Sequence, residues 1–210
     1  MCFNDANYRL TKLSTIYWQC EWCKHLFSDH IDQDNKVGGE YYQERNKQEN
    51  HIRIERIGKM MAGMDKKDYH ILDFGAGFGA LMKDFRAAGY NCDAYDAFNE
   101  EFSRLPERNK YHAVTMVETI EHLSGNFIEL DVINRSMVIG GGIMIETSFV
   151  DIAKEDGVPL EDWFYIAPQN GHSSIFSHWS LDLLMVYKGF APKKHFNRNV
   201  RNYVKIKDLK

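Results

Sequence analysis

His70-Ile71-Leu72-Asp73-Phe74-Gly75-Ala76-Gly77-Phe78-Gly79-Ala80-Leu81 is the stretch that decides the fold of this chain. Its first four residues read as a short buried strand, its glycines as a turn, and residues 80–88 as a helix stopped by Gly89. Strand, glycine-rich turn and helix place backbone N–H groups and a helix N-terminus at the carboxyl edge of a sheet. Open α/β folds bind ligands there. Glycine suits the turn because positive φ is needed, and because a side chain would hold a ligand off the backbone.

Working outward, Ile52, Ile54, Ile57, Met60 and Met61 recur at mostly helical spacing and predict an amphipathic helix over 41–64. Downstream, 90–96 and 112–117 read as strands, 126–137 as a helix ended by Gly140-Gly141-Gly142, and 143–147 as a further strand. Such alternation implies right-handed βαβ units around a mostly parallel sheet. The C-terminal part differs. A helix over 180–187, capped by Ser180 and stopped by Gly189, precedes two extended segments, 193–196 and 200–206. Only Asn197-Arg198-Asn199 separates those segments, so they must pair antiparallel. Residues 1–40 lack sustained periodicity and end at Gly38-Gly39, which predicts a small appendage before a main domain of 41–210.

Composition sets the outer bounds. The 210 residues are 44% hydrophobic and 27% charged, which suits one α/β domain with a true core. No apolar run approaches the roughly 18–20 residues of a membrane helix, and the first residues lack the basic-then-apolar pattern of a secretory signal. A cytoplasmic protein is therefore expected. The net charge of -4 gives no general attraction to nucleic acid. The local exception is the tail carrying Lys193, Lys194, Arg198, Arg201, Lys205 and Lys207, which reads either as a phosphate-gripping stripe or as a solvated edge hairpin. With sparse aromatic interleaving, the hairpin is preferred.

The glycine turn fits the dinucleotide pattern through Gly75, Gly77 and Ala80. Asp73 separates the possible ligands. A carboxylate two residues before the first glycine is badly placed for a pyrophosphate and well placed for an ammonium, unless it merely caps the turn. Asp96, ending the next strand, can accept both hydroxyls of a ribose. One acid for an amine and one for a ribose diol describe S-adenosylmethionine better than NAD.

With these residues in view, the chain resembles the class I S-adenosylmethionine-dependent methyltransferases from about residue 41 onward. Leu72 to Gly79 resembles their first motif. Tyr111-His112-Ala113-Val114-Thr115-Met116-Val117-Glu118-Thr119-Ile120-Glu121-His122-Leu123 resembles their fourth-strand motif, and Gly140 to Thr147 the turn into their fifth strand. Asp162-Trp163, Gly171-His172, Phe176-Ser177 and Ser180-Leu181 are similar to a late segment of one broad subgroup. The resemblance implies a Rossmann-like α/β fold, a seven-stranded sheet of order 3-2-1-4-5-7-6 with a C-terminal antiparallel hairpin. It also implies that Asp73, Phe74, Gly75, Ala76, Gly77, Phe78 and Gly79 hold the methionine end of the cofactor. Asp96 would hold the ribose, Ala97 and Phe98 flank the adenosine, and Val117 and Glu118 line the floor. Only the polar stretch 99–110 separates the second strand from the fourth, so the third is expected to be abbreviated.

Glu118, Glu121 and His122 form E-x-x-E-H, whose members share one face on a helical turn. The pattern resembles the divalent-metal site of ubiquinone-pathway O-methyltransferases and of small-RNA 3′-terminal 2′-O-methyltransferases. That resemblance implies Mg²⁺, with Mn²⁺ second, lowering the pKa of an acceptor hydroxyl. His172 would add a ligand or act as general base. In relatives without a metal, the same pair contacts cofactor or caps a helix. Trp163, Phe164 and Tyr165 read as an acceptor lid or as ordinary core. Cys20-Glu21-Trp22-Cys23 resembles half of a zinc ribbon, with Cys2 a third ligand and His25, His30 or Asp5 a fourth, or else a degenerate ribbon without zinc. Cys92, on a buried strand, reads as core.

The reading is thus a methyltransferase acting on the oxygen of a small hydroxylated acceptor, with nitrogen second. An RNA end is the other acceptor class. The rival functions are an NAD-dependent oxidoreductase, opposed by Asp73 and the terminal hairpin, and a non-catalytic module recruiting a partner through residues 1–40.

Overall fold

The computed structural model describes residues 6–28, 40–123 and 125–209, with side chains of the first helix described from 49 onward. Cys2, Asp5, His30 and the Gly38-Gly39 break lie outside the described residues.

The main sheet grows from the glycine-turn strand. β4 (His70–Phe74) pairs in parallel with β5 (Asn91–Tyr95) on one side and with β6 (Tyr111–Val117) on the other. β6 continues in parallel to β7 (Met137–Glu146). The terminal β9 (Phe190–Pro192) and β10 (Val200–Lys205) close the sheet, with β10 antiparallel to both β7 and β9. The order β5-β4-β6-β7-β10-β9 is the anticipated order with its third strand missing. Six strands, not seven, form this sheet among the described residues. Where the third strand was expected, Glu100–Phe102 makes a single 3-10 turn after Asn99, whose side chain accepts from Glu101 N. The stretch 99–110 holds six charged residues, Pro106 and no β-branched residue, so it has no strand to offer. β5 becomes an edge, and Arg86 Nε covers one of its carbonyls, that of Cys92, at 2.7 Å.

Helices cover both faces. α1 (Glu40–Met60) and α2 (Ala80–Ala87) pack one side, where Ile57, Phe85, Ile71, Ala113, Met144 and Val200 form one core. α3 (Ile128–Ser136), α4 (Val150–Glu155) and α5 (His178–Tyr187) pack the other, around Leu130, Ile133, Phe149, Leu181 and Tyr203. Three local readings change. The glycine triplet lies inside β7, which starts at Met137 and shifts register against β6 between Tyr111 and Ala113. α5 begins at His178 with Ser177 as its cap, Ser180 completing a reciprocal capping box three residues on. The last hairpin is joined by seven residues rather than three, because Phe190–Pro192 pairs instead of 193–196.

Residues 6–28 are more ordered than their sequence suggested. β1 (Ala6–Lys12), β2 (Thr15–Cys20) and β3 (Leu26–Phe27) form an antiparallel run that adds the main chain's β8 (Ser174–Ile175) as fourth strand. The pairing Leu26↔Ile175, Phe27↔Ser174 ties the appendage to the segment just after His172. No helix among the described residues is long and apolar enough to cross a membrane.

Candidate active site

The carboxyl ends of β4, β5, β6 and β7 bring the expected residues to one edge. Gly75, Gly77 and Gly79 all take positive φ. A Cβ on Gly75 would also lie 2.3 Å from Thr119 Oγ1, so this position admits nothing larger. Gly75 and Ala76 donate to the carbonyl of Tyr95, which bends the turn over the end of β5. Asp96 accepts from Gly77 N at 2.7 Å through one oxygen and from Phe98 N at 2.9 Å through the other. It therefore locks the glycine turn to its own loop. Phe78 and Phe98 are exposed beside it, and Ala97 lies on the surface between.

Asp73 is buried. Thr115 Oγ1 donates to it at 2.9 Å, and the backbone of Met82 in the first turn of α2 bonds it as well. Burial pushes its carboxyl up to about 6. Phe74 is core, and Val117 is partly buried below the turn.

After β6 the chain turns sharply. Glu118 has φ 47, and Ile120–His122 forms one 3-10 turn. Glu121 is fully buried by this turn, and its backbone carbonyl takes the N–H of Ser173 at 2.9 Å. Glu121 and His122 thereby meet His172, which arrives from the far loop. Ligand-capable atoms of Glu121, His122 and His172 all lie within 4.8 Å of one another, the only such trio of acids, histidines or cysteines among the described residues. The two imidazoles stand nearly perpendicular, 5.1 Å between centroids. His122 Nδ1 faces the carbonyl of Gly171 at 3.2 Å, and His172 Nδ1 that of Tyr165 at 2.7 Å. A carbonyl only accepts, so each Nδ1 carries a proton, and Nε2 is the ring atom left for a ligand. Burial pushes His172 below the ordinary imidazole range, which keeps it neutral.

Glu118 stands outside this trio and reaches it through Tyr165. The Tyr165 hydroxyl lies 2.6 Å from Glu121 Oε1, 3.0 Å from Glu118 Oε2 and 2.9 Å from Thr147 Oγ1. Thr147 in turn donates to Glu121 Oε2 at 3.1 Å. Although part of Glu118 is open to solvent, desolvation of its carboxylate and then the Glu121 charge push its carboxyl well above the usual range. Next to it, Arg53 of α1 clasps Glu146 at the end of β7, with contacts of 2.5 and 3.2 Å.

Sequence reading missed Tyr165, Thr147 and Arg53 as partners of the acids. They come from separate elements, and no spacing could have joined them. Of the aromatic run, Trp163 and Tyr165 are core, while Phe164 is 76% exposed. Cys20 and Cys23 are buried in a turn where Cys23 N approaches Cys20 Sγ at 3.5 Å, and no described histidine or acid joins them in a trio. Cys92 is buried on β5, and Tyr69, Phe85 and Tyr90 share its core.

A family profile described as a methyltransferase domain matches residues 42–194. No curated protein matches the chain. Among solved structures, an S-adenosylmethionine-dependent methyltransferase from Archaeoglobus fulgidus is similar at 20% identity, covering 76% of this chain and 79% of that one, with TM-score 0.51. The Burkholderia thailandensis 1,6-didemethyltoxoflavin-N1-methyltransferase, bound to 1,6-didemethyltoxoflavin and S-adenosylhomocysteine, is 12% identical over 96% of this chain and all of that one, with TM-score 0.53. CalS10, an amino pentose methyltransferase from Micromonospora echinaspora bound to S-adenosylmethionine, is 12% identical over 83% of this chain and all of its own, with TM-score 0.56. At such identities the neighbours speak for the fold. The family match spans well over half of the chain, and with the glycine turn and its two acids it places this protein in the methyltransferase-domain family, as an S-adenosylmethionine-dependent methyltransferase.

Proposed function

We propose that this enzyme methylates the hydroxyl of a small acceptor at the Glu121, His122 and His172 trio. The convergence of those three side chains beside the glycine turn is the observation that carries the reading. The glycine turn, with Asp73 beneath it and Asp96 at its edge, holds the methionine and ribose ends of the cofactor, with Ala97, Phe98, Val117 and Glu118 around the nucleoside. The acceptor oxygen attacks the methyl carbon, the carbon–sulfur bond breaks, and S-adenosylhomocysteine leaves. In such a displacement the protein mainly aligns the reactants and excludes water.

The trio also fits a divalent cation. Both imidazoles have their Nδ1 held by backbone carbonyls, the arrangement that orients metal-ligating histidines. A bound cation would supply a Lewis acid that lowers the pKa of the acceptor hydroxyl. Two imidazoles and one carboxylate suit Mn²⁺ better than Mg²⁺, whose preference is for oxygen. Tyr165 and Thr147 hold the Glu121 carboxylate in place, and Glu118 supports it from outside rather than as a fourth ligand. The neutral His172 offers its Nε2 lone pair, either to the cation or to the departing acceptor proton.

The fold disfavours an RNA end. Arg198 is spent on Asp156, at 2.7 and 3.0 Å, and Lys205 is buried against the carbonyl of Met137. The basic stripe of the tail is therefore interrupted. Within the appendage 1–40 that precedes the catalytic domain 41–210, residues 6–28 serve as a brace behind His172, and the Cys20 and Cys23 turn is read as structural.

Calorimetric titration with S-adenosylhomocysteine, first in chelator and then with Mn²⁺ or Mg²⁺, tests this reading. Binding at one site per chain is expected in both conditions. Tighter cation binding to the wild type than to Glu121→Gln is expected as well. A folded protein that binds no S-adenosylhomocysteine would remove the assigned cofactor residues. Cation binding unchanged in Glu121→Gln would remove the metal site.

A further inference from the structure

We propose that α5 and the Cys20–Cys23 turn form the interface of a two-fold symmetric homodimer. α5 reads His-Trp-Ser-Leu-Asp-Leu-Leu-Met-Val-Tyr and carries one acid, Asp182, which is already held by the Tyr203 hydroxyl at 2.7 Å. A helix that is apolar all round belongs in an interior. Its inner side meets that expectation through Leu181, Leu184 and Met185. Its outer side does not. Trp179 is 53% exposed, Val186 50% and Tyr187 72%, and with Leu183 they form one stripe at helical spacing. The stripe is extended by Trp22, 58% exposed, whose ring packs edge-on against Trp179 at 6.1 Å. Ser177 Oγ donates to the Cys23 carbonyl at 2.6 Å, so the turn bearing Trp22 is fixed to the start of the helix.

Three features select a second copy of this chain as the occupant. First, the stripe has an aromatic knob at one end and a hole at the other. Beside Tyr187 opens a cleft of about 310 Å³ lined by Asp131, Arg135, Lys188 and Leu209. Knob and hole are separated by eight helical residues, about 12 Å. Two antiparallel copies of α5 would each set Trp22 and Trp179 against the Tyr187 end of the other, with Leu183 near the axis. Second, the stripe residues themselves are uncharged and the flanking Asp182 is held by Tyr203, and antiparallel helix dipoles attract. Arg135 in the cleft can face an incoming indole. Third, three largely exposed aromatics with Leu183 and Val186 offer roughly 400–500 Å² per copy. Two copies would bury about 1,000 Å², the lower bound for a specific interface.

The interface is therefore weak, with a dissociation constant on the order of 10 µM. Sedimentation velocity of the full chain from about 1 to about 200 µM reads it directly. Wild type should pass from monomer to dimer across that range. Trp179→Asp and Val186→Asp should each weaken association at least about tenfold. Ile139→Asp, an equally exposed apolar site on β7, should leave association unchanged. Circular dichroism of each variant, expected to match wild type, keeps the comparison to folded protein, and Trp179→Ser serves if the aspartate variant unfolds. A wild type that stays monomeric throughout overturns the proposal and leaves the stripe to a different protein. A dimer unaffected by the α5 variants, or weakened equally by Ile139→Asp, overturns it too.

Discussion

Two buried histidines flank paired strands of the small sheet, and they differ in almost everything but burial. His25 precedes β3, His172 lies two residues before β8, and those strands pair with each other. His25 stacks on Phe176, with centroids 4.6 Å apart and rings 15° from parallel. Its Nε2 has no hydrogen-bond partner among the described residues, and burial pushes it down to about 3. His172 is buried as well, but its Nδ1 is fixed by a carbonyl, and Glu121 and His122 stand around its other edge. Burial lowers the affinity of both rings for a proton. Only polar neighbours turn one of them into a reagent. A neutral imidazole with a fixed tautomer and a carboxylate beside it can take a cation or a proton, whereas one wedged between phenyl rings only fills space.

The largest expected effect separates the two directly. Once an acceptor has been found by screening hydroxylated small molecules, His172→Ala should cut methyl transfer by roughly 100- to 1,000-fold. Its affinity for S-adenosylhomocysteine should stay within about twofold of wild type. His25→Phe, which keeps an aromatic ring against Phe176, should hold turnover within about twofold. Radiolabelled methyl transfer and calorimetry read both. Equal losses in the two variants would dissolve the distinction.

The next effect is on stability and has a definite sign. An unfolded imidazole titrates near 6.5, while His25 in the fold stays neutral down to about 3. Its contribution is fully present above pH 6.5 and is lost as pH falls, by about 2 kcal/mol between pH 7.5 and 5. Asp73 acts the other way. Its folded carboxyl titrates near 6 rather than 3.8, so the native state loses stability as pH rises through that window. Lowering pH from 7.5 to 5 therefore returns about 1.4 kcal/mol. In wild type the two nearly cancel. Urea denaturation at both pH values should show His25→Phe more stable at pH 5 than at 7.5, and Asp73→Asn less stable at pH 5. The same pH response in all three proteins would show that neither group titrates as its burial implies.

How much of this was legible in the sequence depends on whether a signal is local. The strand, glycine turn and helix around Asp73 could be read because each step has its own residue chemistry, whereas the sheet order came from the family resemblance, with which the antiparallel end agreed. The missing third strand was half visible. The polar stretch 99–110 announced a shortening, but complete loss depended on Asp96 N and Phe102 O closing the loop at 3.1 Å. Glu121, His122 and His172 were singled out as residue types, yet 49 residues separate His122 from Gly171, its carbonyl partner, so its tautomer was hidden. Residues 6–28 offered no periodicity to read because β1 is buried only at Leu10 and β2 only at Tyr17 and Cys20. Their fourth strand came from β8, two residues long, which no periodicity could reveal.

The smallest expected effect tests whether that small sheet matters to His172. The Tyr17 hydroxyl, fully buried on β2, donates to the His172 carbonyl at 2.7 Å, and Ser28 N donates to Ser173 O just beyond. Tyr203 offers a matched control, equally buried on β10, donating at 2.7 Å to Asp182. Removing either hydroxyl leaves the ring in place and an acceptor without its donor, at about 1–2 kcal/mol. Tyr17→Phe should also lower turnover a few-fold, because the loop holding His172 gains freedom while the cofactor turn does not. Tyr203→Phe should lose at least as much stability, since its partner is a carboxylate, and leave turnover unchanged. Thermal denaturation paired with initial rates separates the outcomes. If both variants lose stability and neither loses rate, the N-terminal strands brace the fold and not the histidine. If turnover falls only for Tyr17→Phe, the appendage belongs to the active site.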